Sequence, residues 1–330
     1  MRILVVHPGF LGDAVFLGPA VRALKARWPD AQVVVCTTPR GAPAARLLPG
    51  CESVVVLDKR GRDGGLCGLR RVGAELRRFR PDLALVSHGS LRSGALAWLS
   101  GAPRRIGYPP LFCTERLDLD RSRPFVDRPL ALAERAGAAS ADRSLAMAAP
   151  ADEAAYAERV LAGASRPVVG LLPGAEWPTK RWGPEKFAIL AQHLAARGAS
   201  LVLLGGPAER ALCQRVAALS GIPVRDTAGN SIEEAIALLA RCDLVVGGDT
   251  GLVHCARALG RRTLVLFGPT DPSRHVWGRH QEPIRLGLDC QPCHDHGPER
   301  CPLGHLNCLN LLSAVAVAEA ARGLLDAPAE

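Results

Sequence analysis

The sequence predicts an α/β protein with two doubly wound halves of similar build. Strand-like apolar runs alternate with helical stretches from Ile3 to Tyr108, and the alternation restarts at Val168 and continues to Phe267. This alternation favours a parallel sheet with helices on both faces. A length of 330 residues also suits two cores better than one. Residues 109–150 are rich in proline, arginine and alanine, which indicates irregular chain at a domain boundary.

The first half begins with a strand at Ile3–His7, a loop that contains Gly12-Asp13, and a helix from about Asp13 to Trp28. Further strands are predicted at 33–35, 53–57, 83–87 and 104–108, and helices at 42–48, 66–79 and 91–99. Ligands of open α/β sheets bind beyond the carboxyl ends of the strands, so Asp13 should face a binding edge. Asp13 is either a plain helix cap or a general base that takes a proton from an acceptor hydroxyl.

The second half repeats the pattern. Strands are predicted at 168–172, 201–204, 224–225, 244–246 and 263–267, and helices at 184–197, 208–219, 231–240, 251–259 and 312–325. We therefore expect one domain at residues 1–150, a second at 151–310 that includes a Cys-rich segment at 290–308, and a closing helix in residues 311–330.

The stretch from Asp243 to Gly260 carries the strongest signal for a ligand. A short apolar strand ends at two glycines, Asp249 and Thr250 follow as good helix caps, and Gly251 opens a helix. Such a helix start has unpaired N–H groups and the positive end of the macrodipole, which suits a phosphate. Taken alone, the stretch is equally compatible with an ordinary strand–helix unit.

Two other loops follow strands of the second half. The loop PGAEWPTKRW places Lys180 and Arg181 after the strand at 168–172, where they could neutralise a diphosphate or form a surface charge pair. Glu209 follows the next strand and is either a ribose contact or an exposed helix residue. No Walker A or GxGxxG motif is present, which argues against a P-loop NTPase and a typical dinucleotide dehydrogenase.

The charge is unevenly distributed. The net charge is +9, and residues 1–150 alone carry 23 basic and 13 acidic side chains. The first half should therefore meet an anionic partner such as a membrane surface or an acidic substrate. Aromatic content is only 4% and no nucleic-acid module is recognisable, so we expect no nucleic-acid partner. We also expect a cytoplasmic protein without a signal peptide or a membrane span.

A cysteine-rich segment lies near the end of the chain. Cys290, Cys293, Cys301 and Cys308 fall within nineteen residues, with histidines among them. This spacing suits a structural zinc site, and free or redox-active thiols or a disulfide are the alternatives.

The motifs together resemble those of the ADP-heptose:lipopolysaccharide heptosyltransferases of glycosyltransferase family 9. The resemblance is carried by Gly12-Asp13, PGAE…KRW at 173–182, DTGLxH at 249–254 and GPTDP at 268–272, in the family's order and spacing. It covers nearly the whole chain. The PGAE…KRW loop looks more like the type II enzymes, which add the second heptose of the inner core, than type I.

The resemblance implies a GT-B fold, with two Rossmann-like domains whose parallel sheets face a central cleft. It implies that the acceptor binds the N-terminal domain, the nucleotide sugar binds the C-terminal one, and the last helix packs back on the N-terminal domain. It implies an inverting transfer that requires no metal, with Asp13 as the general base and Lys180 near the diphosphate. The residues that match the donor site are Lys180, Arg181, Glu209, Asp249, Thr250, Gly251, Leu252 and His254.

The implied partners are ADP-heptose and a Kdo-containing lipid A core at the inner face of the inner membrane. Gly12, Arg92, Arg104 and Arg105 are the predicted acceptor-binding residues. The helix at 66–79 carries four arginines that would lie against anionic lipid or form a solvated face. The alternatives are a related transferase with another nucleotide sugar or acceptor, and a non-catalytic nucleotide-sugar or metal sensor.

Overall fold

The chain folds into two units, as seen in a computed structural model that describes residues 1–328. The first unit comprises Met1–Ala148 together with Arg274–Val276, and the second comprises the rest of the described chain. The division at residue 148 lies beside the predicted boundary at residue 150.

The first unit is a parallel sheet flanked by helices. Its strands are β1 (Arg2–Val6), β2 (Gln32–Thr37), β3 (Ser53–Val56), β4 (Leu83–Val86), β5 (Arg104–Gly107) and β6 (Glu115–Arg116). Its helices are α1 (Leu11–Val15), α2 (Gly18–Arg27), α3 (Ala42–Arg46), α4 (Gly65–Phe79), α5 (Leu91–Leu99) and α6 (Asp127–Ala136). The strand order is β3-β2-β1-β4-β5-β6, so β1 is central and pairs in parallel with both β2 and β4.

Two elements of the first unit differ from the predictions. The helix predicted from Asp13 to Trp28 is two helices, α1 and α2, which meet at Phe16–Leu17. Residues 109–150, predicted to be irregular, contain β6 and α6. Helix α6 buries Leu130, Leu132 and several small residues, and the proline-, arginine- and alanine-rich composition of the stretch concealed it.

The second unit repeats the same architecture. Its strands are β7 (Val168–Leu172), β8 (Ser200–Leu203), β9 (Arg225–Asp226), β10 (Leu244–Gly248), β11 (Arg262–Leu266) and β12 (Gln281–Ile284). Its helices are α7 (Ala154–Val160), α8 (Pro184–Ala195), α9 (Arg210–Ser220), α10 (Ile232–Leu239), α11 (Gly251–Ala258), α12 (Asn307–Asn310) and α13 (Ala314–Asp326). The order β12-β11-β10-β7-β8-β9 is the order of the first unit, so both sheets have the Rossmann topology and confirm the predicted α/β class.

Helix α13 is the predicted closing helix, and the expectation that this helix packs back on the N-terminal domain stays a prediction. It packs against α8 and β11 of the second unit, where Val317, Ala321 and Leu324 join the core. A helix covers whichever apolar surface its own unit leaves open, and an amphipathic pattern does not name that surface. Residues 329–330 of the predicted segment lie outside the described residues.

This topology determines where ligands can bind. In a Rossmann sheet the chain turns to opposite sides at the first and fourth strands, and a crevice opens at their carboxyl ends. These strands are β1 and β4 in the first unit and β7 and β10 in the second. Among residues 1–328 no helix is long and apolar enough to cross a membrane.

Candidate active site

The start of helix α11 lies at the carboxyl end of β10, next to the crevice of the second unit. Thr250 occupies the N-cap position in extended backbone, and its side chain makes no capping hydrogen bond within the described residues. The first N–H groups of α11, from Gly251 and Leu252 onward, therefore carry a partial positive charge, and the Thr250 side chain does not neutralise it. A side chain at Gly248 would approach the Lys180 carbonyl oxygen to 2.7 Å, so only glycine lets the two loops meet here.

Asp249 is the hub of this site. Its Oδ2 accepts hydrogen bonds from Lys180 Nζ at 2.6 Å and from Thr270 Oγ1 at 2.8 Å. Its Oδ1 lies 3.0 Å from His254 Nε2, and the carboxylate is almost fully buried. The structure thus brings together the predicted residues Lys180, Asp249 and His254. The carboxylate therefore connects Lys180, Thr270 and His254, and the predicted contact of Asp249 with the donor stays a prediction.

The loop that carries Lys180 is fixed at both ends. Residues Pro178–Lys180 form a single 3-10 turn. Thr179 Oγ1 donates to the Pro298 carbonyl at 2.6 Å, and the Trp182 indole donates to the Leu312 carbonyl at 3.1 Å. The ammonium of Lys180 is thereby positioned by a rigid loop instead of a flexible one. Arg181 is exposed, and its Nε donates to the Ala175 carbonyl of the same loop.

Glu209 lies at the same edge of the sheet. It ends a 3-10 turn before α9, and its side chain packs against Gly174, where an added Cβ would meet Glu209 Cγ at 2.2 Å. The loops after β7 and β8 therefore touch through Glu209. Its predicted contact with a ribose stays a prediction.

Asp13 lies in the first unit, in α1 beyond the carboxyl end of β1. Its Oδ2 accepts a hydrogen bond from the Phe10 N–H at 2.8 Å, so the carboxylate does cap the helix start, as the plainer interpretation holds. A Cβ on Gly9 would come within 2.7 Å of Asp13 Oδ2 and 2.8 Å of His7 Nε2, which shows that these side chains close over this glycine. Neighbouring Gly12 is buried in the same turn.

Three further groups surround Asp13 that the sequence did not single out. Burial lowers the pKa of His7, against the opposing effect of Asp13, and its Nδ1 lies 2.7 Å from Ser87 Oγ. Burial, with the charges of His7 and Lys59, lowers the pKa of His88 to about 4. Burial and neighbouring arginines also lower the pKa of Lys59, whose Nζ donates to the Pro8 carbonyl at 3.2 Å. All three follow the ends of strands, so the rule that located Asp13 could have found them.

The predicted acceptor-binding arginines do not form one site. Arg104 and Arg105 open β5 and align with Leu83 and Ala84, at the opposite end of the sheet from Asp13. Arg104 pairs with Glu115 at 2.7 Å, and Arg105 donates to the Phe112 carbonyl at 2.7 Å. Their predicted contact with the acceptor stays a prediction. Arg92 opens α5, and its Nη1 lies 3.4 Å from the Asp63 carbonyl.

The Cys-rich segment packs against the loops of the second unit. The Cys293 N–H donates to the Pro269 carbonyl at 2.9 Å, next to Thr270. All four thiols are free, and no three of them lie within 4.8 Å of one another in residues 1–328. Backbone N–H groups directed at its sulfur lower the pKa of Cys301, while burial raises the pKa of Cys308 to about 11. In this conformation the sulfurs do not form a closed tetrahedral set, and the zinc prediction stays a prediction.

Known proteins share this architecture along almost the whole chain. Lipopolysaccharide heptosyltransferase 2 of Salmonella typhimurium is 31% identical over 292 residues, which are 82% of this chain and 84% of that protein. Lipopolysaccharide heptosyltransferase 1 of Pseudomonas aeruginosa is 31% identical over 89% of this chain and 86% of its own. The solved structure of Escherichia coli ADP-heptose lipopolysaccharide heptosyltransferase II superposes with a TM-score of 0.80 at 26% identity, covering 98% of each chain.

Two Rossmann-type sheets, with a lysine and a helix start at the carboxyl edge of the second, define a GT-B glycosyltransferase. The model of glycosyltransferase family 9 (heptosyltransferase) matches residues 69–302. The chain belongs to glycosyltransferase family 9.

Proposed function

We propose that this enzyme transfers heptose from ADP-heptose to the inner core of lipopolysaccharide, adding the second heptose to heptosyl-Kdo2-lipid A. The observation that carries the proposal is the buried pair of Lys180 and Asp249, 2.6 Å apart, in front of the first turn of α11. This arrangement offers a cation and a helix dipole to a nucleoside diphosphate. The choice of heptose as the sugar and of lipopolysaccharide as the acceptor rests on the names of the similar proteins.

The chemistry follows from groups in each unit. Asp13 takes the proton from the acceptor hydroxyl as that oxygen attacks the anomeric carbon of the donor. The new C–O bond forms as the bond from the anomeric carbon to the diphosphate oxygen breaks, with inversion at that carbon. The departing ADP gains negative charge, which Lys180 and the start of α11 stabilise. His254 and Thr270 hold Asp249, which in turn holds Lys180.

A mass-spectrometric transfer assay tests the proposal. Purified enzyme is incubated with ADP-heptose and Kdo2-lipid A that carries zero, one or two heptoses. A mass gain of one heptose on the monoheptosyl acceptor alone supports the assignment. Transfer to the heptose-free acceptor would assign the first heptose instead. Transfer only from a uridine diphosphate sugar would favour a related transferase, and no transfer from any donor would favour a sensor.

We further propose that the first unit rests on an anionic membrane through the apolar patch of Leu91, Trp98, Leu111 and Phe112. Leu91 and Trp98 lie seven residues apart on α5, and both are more than half exposed, as is Leu111. The rings of Trp98 and Phe112 are 6.1 Å apart. Helix α4 packs against α5 and places Arg77 beside Gly101, close to the patch. Exposed aromatic and aliphatic side chains flanked by arginines suit a surface of acidic headgroups.

Sedimentation with lipid vesicles checks this surface. The double substitution Trp98→Ser and Phe112→Ser should lower binding to phosphatidylglycerol-containing vesicles by roughly tenfold, because it removes buried apolar area at the interface. Leu219→Ser is the matched control, since Leu219 is similarly exposed but lies on α9 of the second unit. Equal binding of the patch variant and the control would contradict the proposal.

We also propose that Cys290, Cys293, Cys301 and Cys308 bind a structural Zn²⁺. Four thiols in one short segment match the ligand preference of zinc, and backbone N–H groups of residues 303–306 point at the Cys301 sulfur. The sulfurs would have to draw together on binding, because no three of the described ones lie within 4.8 Å.

Metal analysis of the purified protein decides this point. About one zinc per chain is expected, falling to near zero when Cys290 and Cys293 are both changed to serine. The double change of Cys36 and Cys242 to serine is the control, since both thiols are buried elsewhere in the two cores. A protein without zinc, in which all four thiols react with a thiol reagent after purification under reducing conditions, would contradict the proposal.

A further inference from the structure

Arg257 is a buried arginine on helix α11, three residues after His254. Its side chain is only 1% exposed, the largest fully buried side chain among the described residues. The guanidinium lies 4.3 Å from the centre of the Trp277 ring, and its Nε donates to Gln281 Oε1 at 3.2 Å. Burial lowers the pKa of Arg257 to about 10, while the negative charge of Asp249 opposes this shift. A cation this deeply buried is stable only when its N–H groups are hydrogen-bonded and its charge is compensated, so its contacts are expected to be specific.

The contact between Arg257 and His254 fixes the proton of the imidazole. Arg257 Nη1 lies 3.1 Å from His254 Nδ1, and a guanidinium can only donate. Nδ1 must therefore be the acceptor, which leaves the single proton of a neutral imidazole on Nε2. Nε2 faces Asp249 Oδ1 at 3.0 Å, so His254 donates to the carboxylate. A doubly protonated imidazole would point its Nδ1–H at an N–H of the guanidinium, so that two donors would face each other.

The same contacts extend from Arg257 to Lys180. Arg257 orients His254, His254 donates to one oxygen of Asp249, and Lys180 bonds the other oxygen. The Lys180 ammonium is therefore held at the end of a chain of three contacts that begins at Arg257. A change at Arg257 should reach Lys180 through the orientation of His254 and Asp249.

We propose that Arg257 is a positioning residue for the nucleoside diphosphate sugar, acting through the Nε2–H tautomer of His254 on Asp249 and Lys180. The inference rests on the proposed function for the identity of the ligand. Arg257 does not touch the donor in this scheme. It sets the orientation of the side chains that do.

The first test reads the tautomer without any substrate. Long-range ¹H–¹⁵N correlation spectra of the histidine rings distinguish Nε2–H from Nδ1–H imidazoles. The wild-type protein should show His254, assigned with a His254→Gln variant, as the Nε2–H form. Arg257→Met removes the donor to Nδ1, whereas Asp249 still favours a proton on Nε2. We therefore expect part of the population to become the doubly protonated imidazole at neutral pH. A His254 ring that stays entirely in the neutral Nε2–H form in this variant would overturn the proposal.

The second test separates binding from turnover. Arg257→Met should raise KM for ADP-heptose by roughly tenfold or more, with a smaller fall in kcat, because it weakens the hold on the ground-state diphosphate. Arg262→Met is the matched control. Arg262 lies five residues on and donates to the Leu325 and Ala327 carbonyls, so its loss should lower stability without raising KM. An equal rise in KM in both variants would mean a general packing defect and would overturn the proposal.

A conservative variant covers the case in which Arg257→Met does not fold. Arg257→Lys keeps a cation but loses the planar group that stacks on Trp277 and bonds Gln281. We expect an intermediate KM and a partial loss of the Nε2–H form, and wild-type values for both would overturn the proposal. The histidine spectra test the contact between Arg257 and His254 even if the wild-type enzyme does not use ADP-heptose. If the wild-type enzyme transfers heptose but the Arg257 variants change neither KM nor the protonation of His254, the positioning role is wrong and the proposed function is unaffected.

Discussion

Replacing Asp13 with asparagine should lower heptose transfer by about 10²–10⁴-fold, the usual contribution of a positioned general base. The asparagine side-chain oxygen can still accept the Phe10 N–H, now bonded to Asp13 Oδ2 at 2.8 Å, so the start of α1 keeps its cap. What the change removes is the capacity to take a proton. Binding of ADP-heptose, measured by calorimetric titration, should stay within about twofold, because Lys180 and Asp249 belong to the second unit.

The capping role of Asp13 makes a matched control necessary. Glu234 is a carboxylate with the same local task, since its Oε2 accepts the Ser231 N–H at 2.8 Å at the start of α10. Glu234→Gln should therefore cost a similar amount of stability, on the order of 1 kcal/mol or less, with kcat unchanged. Asp13→Asn that keeps more than about a tenth of the wild-type kcat would show that the carboxylate is only a helix cap.

The surroundings of Asp13 are consistent with a base that works near neutral pH. His7 and His88 are kept neutral by burial, which lowers the pKa of both rings. Lys59 is then the nearby cation that can orient an anionic acceptor, and its charge acts on both histidines and on Asp13. The first unit therefore combines one carboxylate with a local positive charge. That combination suits an acceptor rich in acidic sugars and phosphates.

The edge of the sheet on which the site lies could be predicted because it depends only on element order. In a parallel sheet all strands end at one edge, so Asp13, Lys180 and Asp249, each placed just after a strand, share the carboxyl edge of their sheet. The same rule places Arg104 and Arg105 at the edge of their sheet opposite to Asp13, since both begin the predicted strand at 104–108. Charge alone suggested them, and charge carries no information about which end of a strand a residue occupies.

Side-chain pairing within the site could not be predicted from the sequence. Lys180 and Asp249 are 69 positions apart, and their 2.6 Å contact depends on the Lys180 loop passing directly over Gly248. Nor does the sequence show that Arg257 is buried, because an arginine on an amphipathic helix is ordinarily solvated. Helix α13 illustrates the same limit. The sequence shows that one face of this helix is apolar, but it does not show which elements that face packs against. Local patterns define faces, while tertiary contacts decide their partners.

Replacing Lys180 with methionine should lower kcat by roughly 10²–10³-fold, the cost typical of losing one preorganised group that stabilises developing charge. The Lys180 side chain is only 12% exposed, and its ammonium donates to both Oδ2 and the carbonyl oxygen of Asp249. Methionine fills a similar volume, so the loop should keep its path through the Thr179 and Trp182 hydrogen bonds. The loss should fall mainly on kcat, since the diphosphate gains its charge as the bond to the sugar breaks.

A second lysine of the same unit shows whether this loss is electrostatic. Lys186 donates to the Leu309 and Leu312 carbonyls at 2.8 and 2.9 Å and anchors the chain before α13. Lys186→Met should lower the melting temperature with kcat within about twofold of wild type. Lys180→Met should also lower the melting temperature, because it leaves the buried Asp249 carboxylate without its cation, but it alone should lower kcat by the full factor. Lys180→Arg should recover part of the lost kcat, because a guanidinium restores the charge but not the compact fit against Asp249. Equal kcat in Lys180→Met and the wild type would mean that the start of α11 stabilises the leaving group without this lysine.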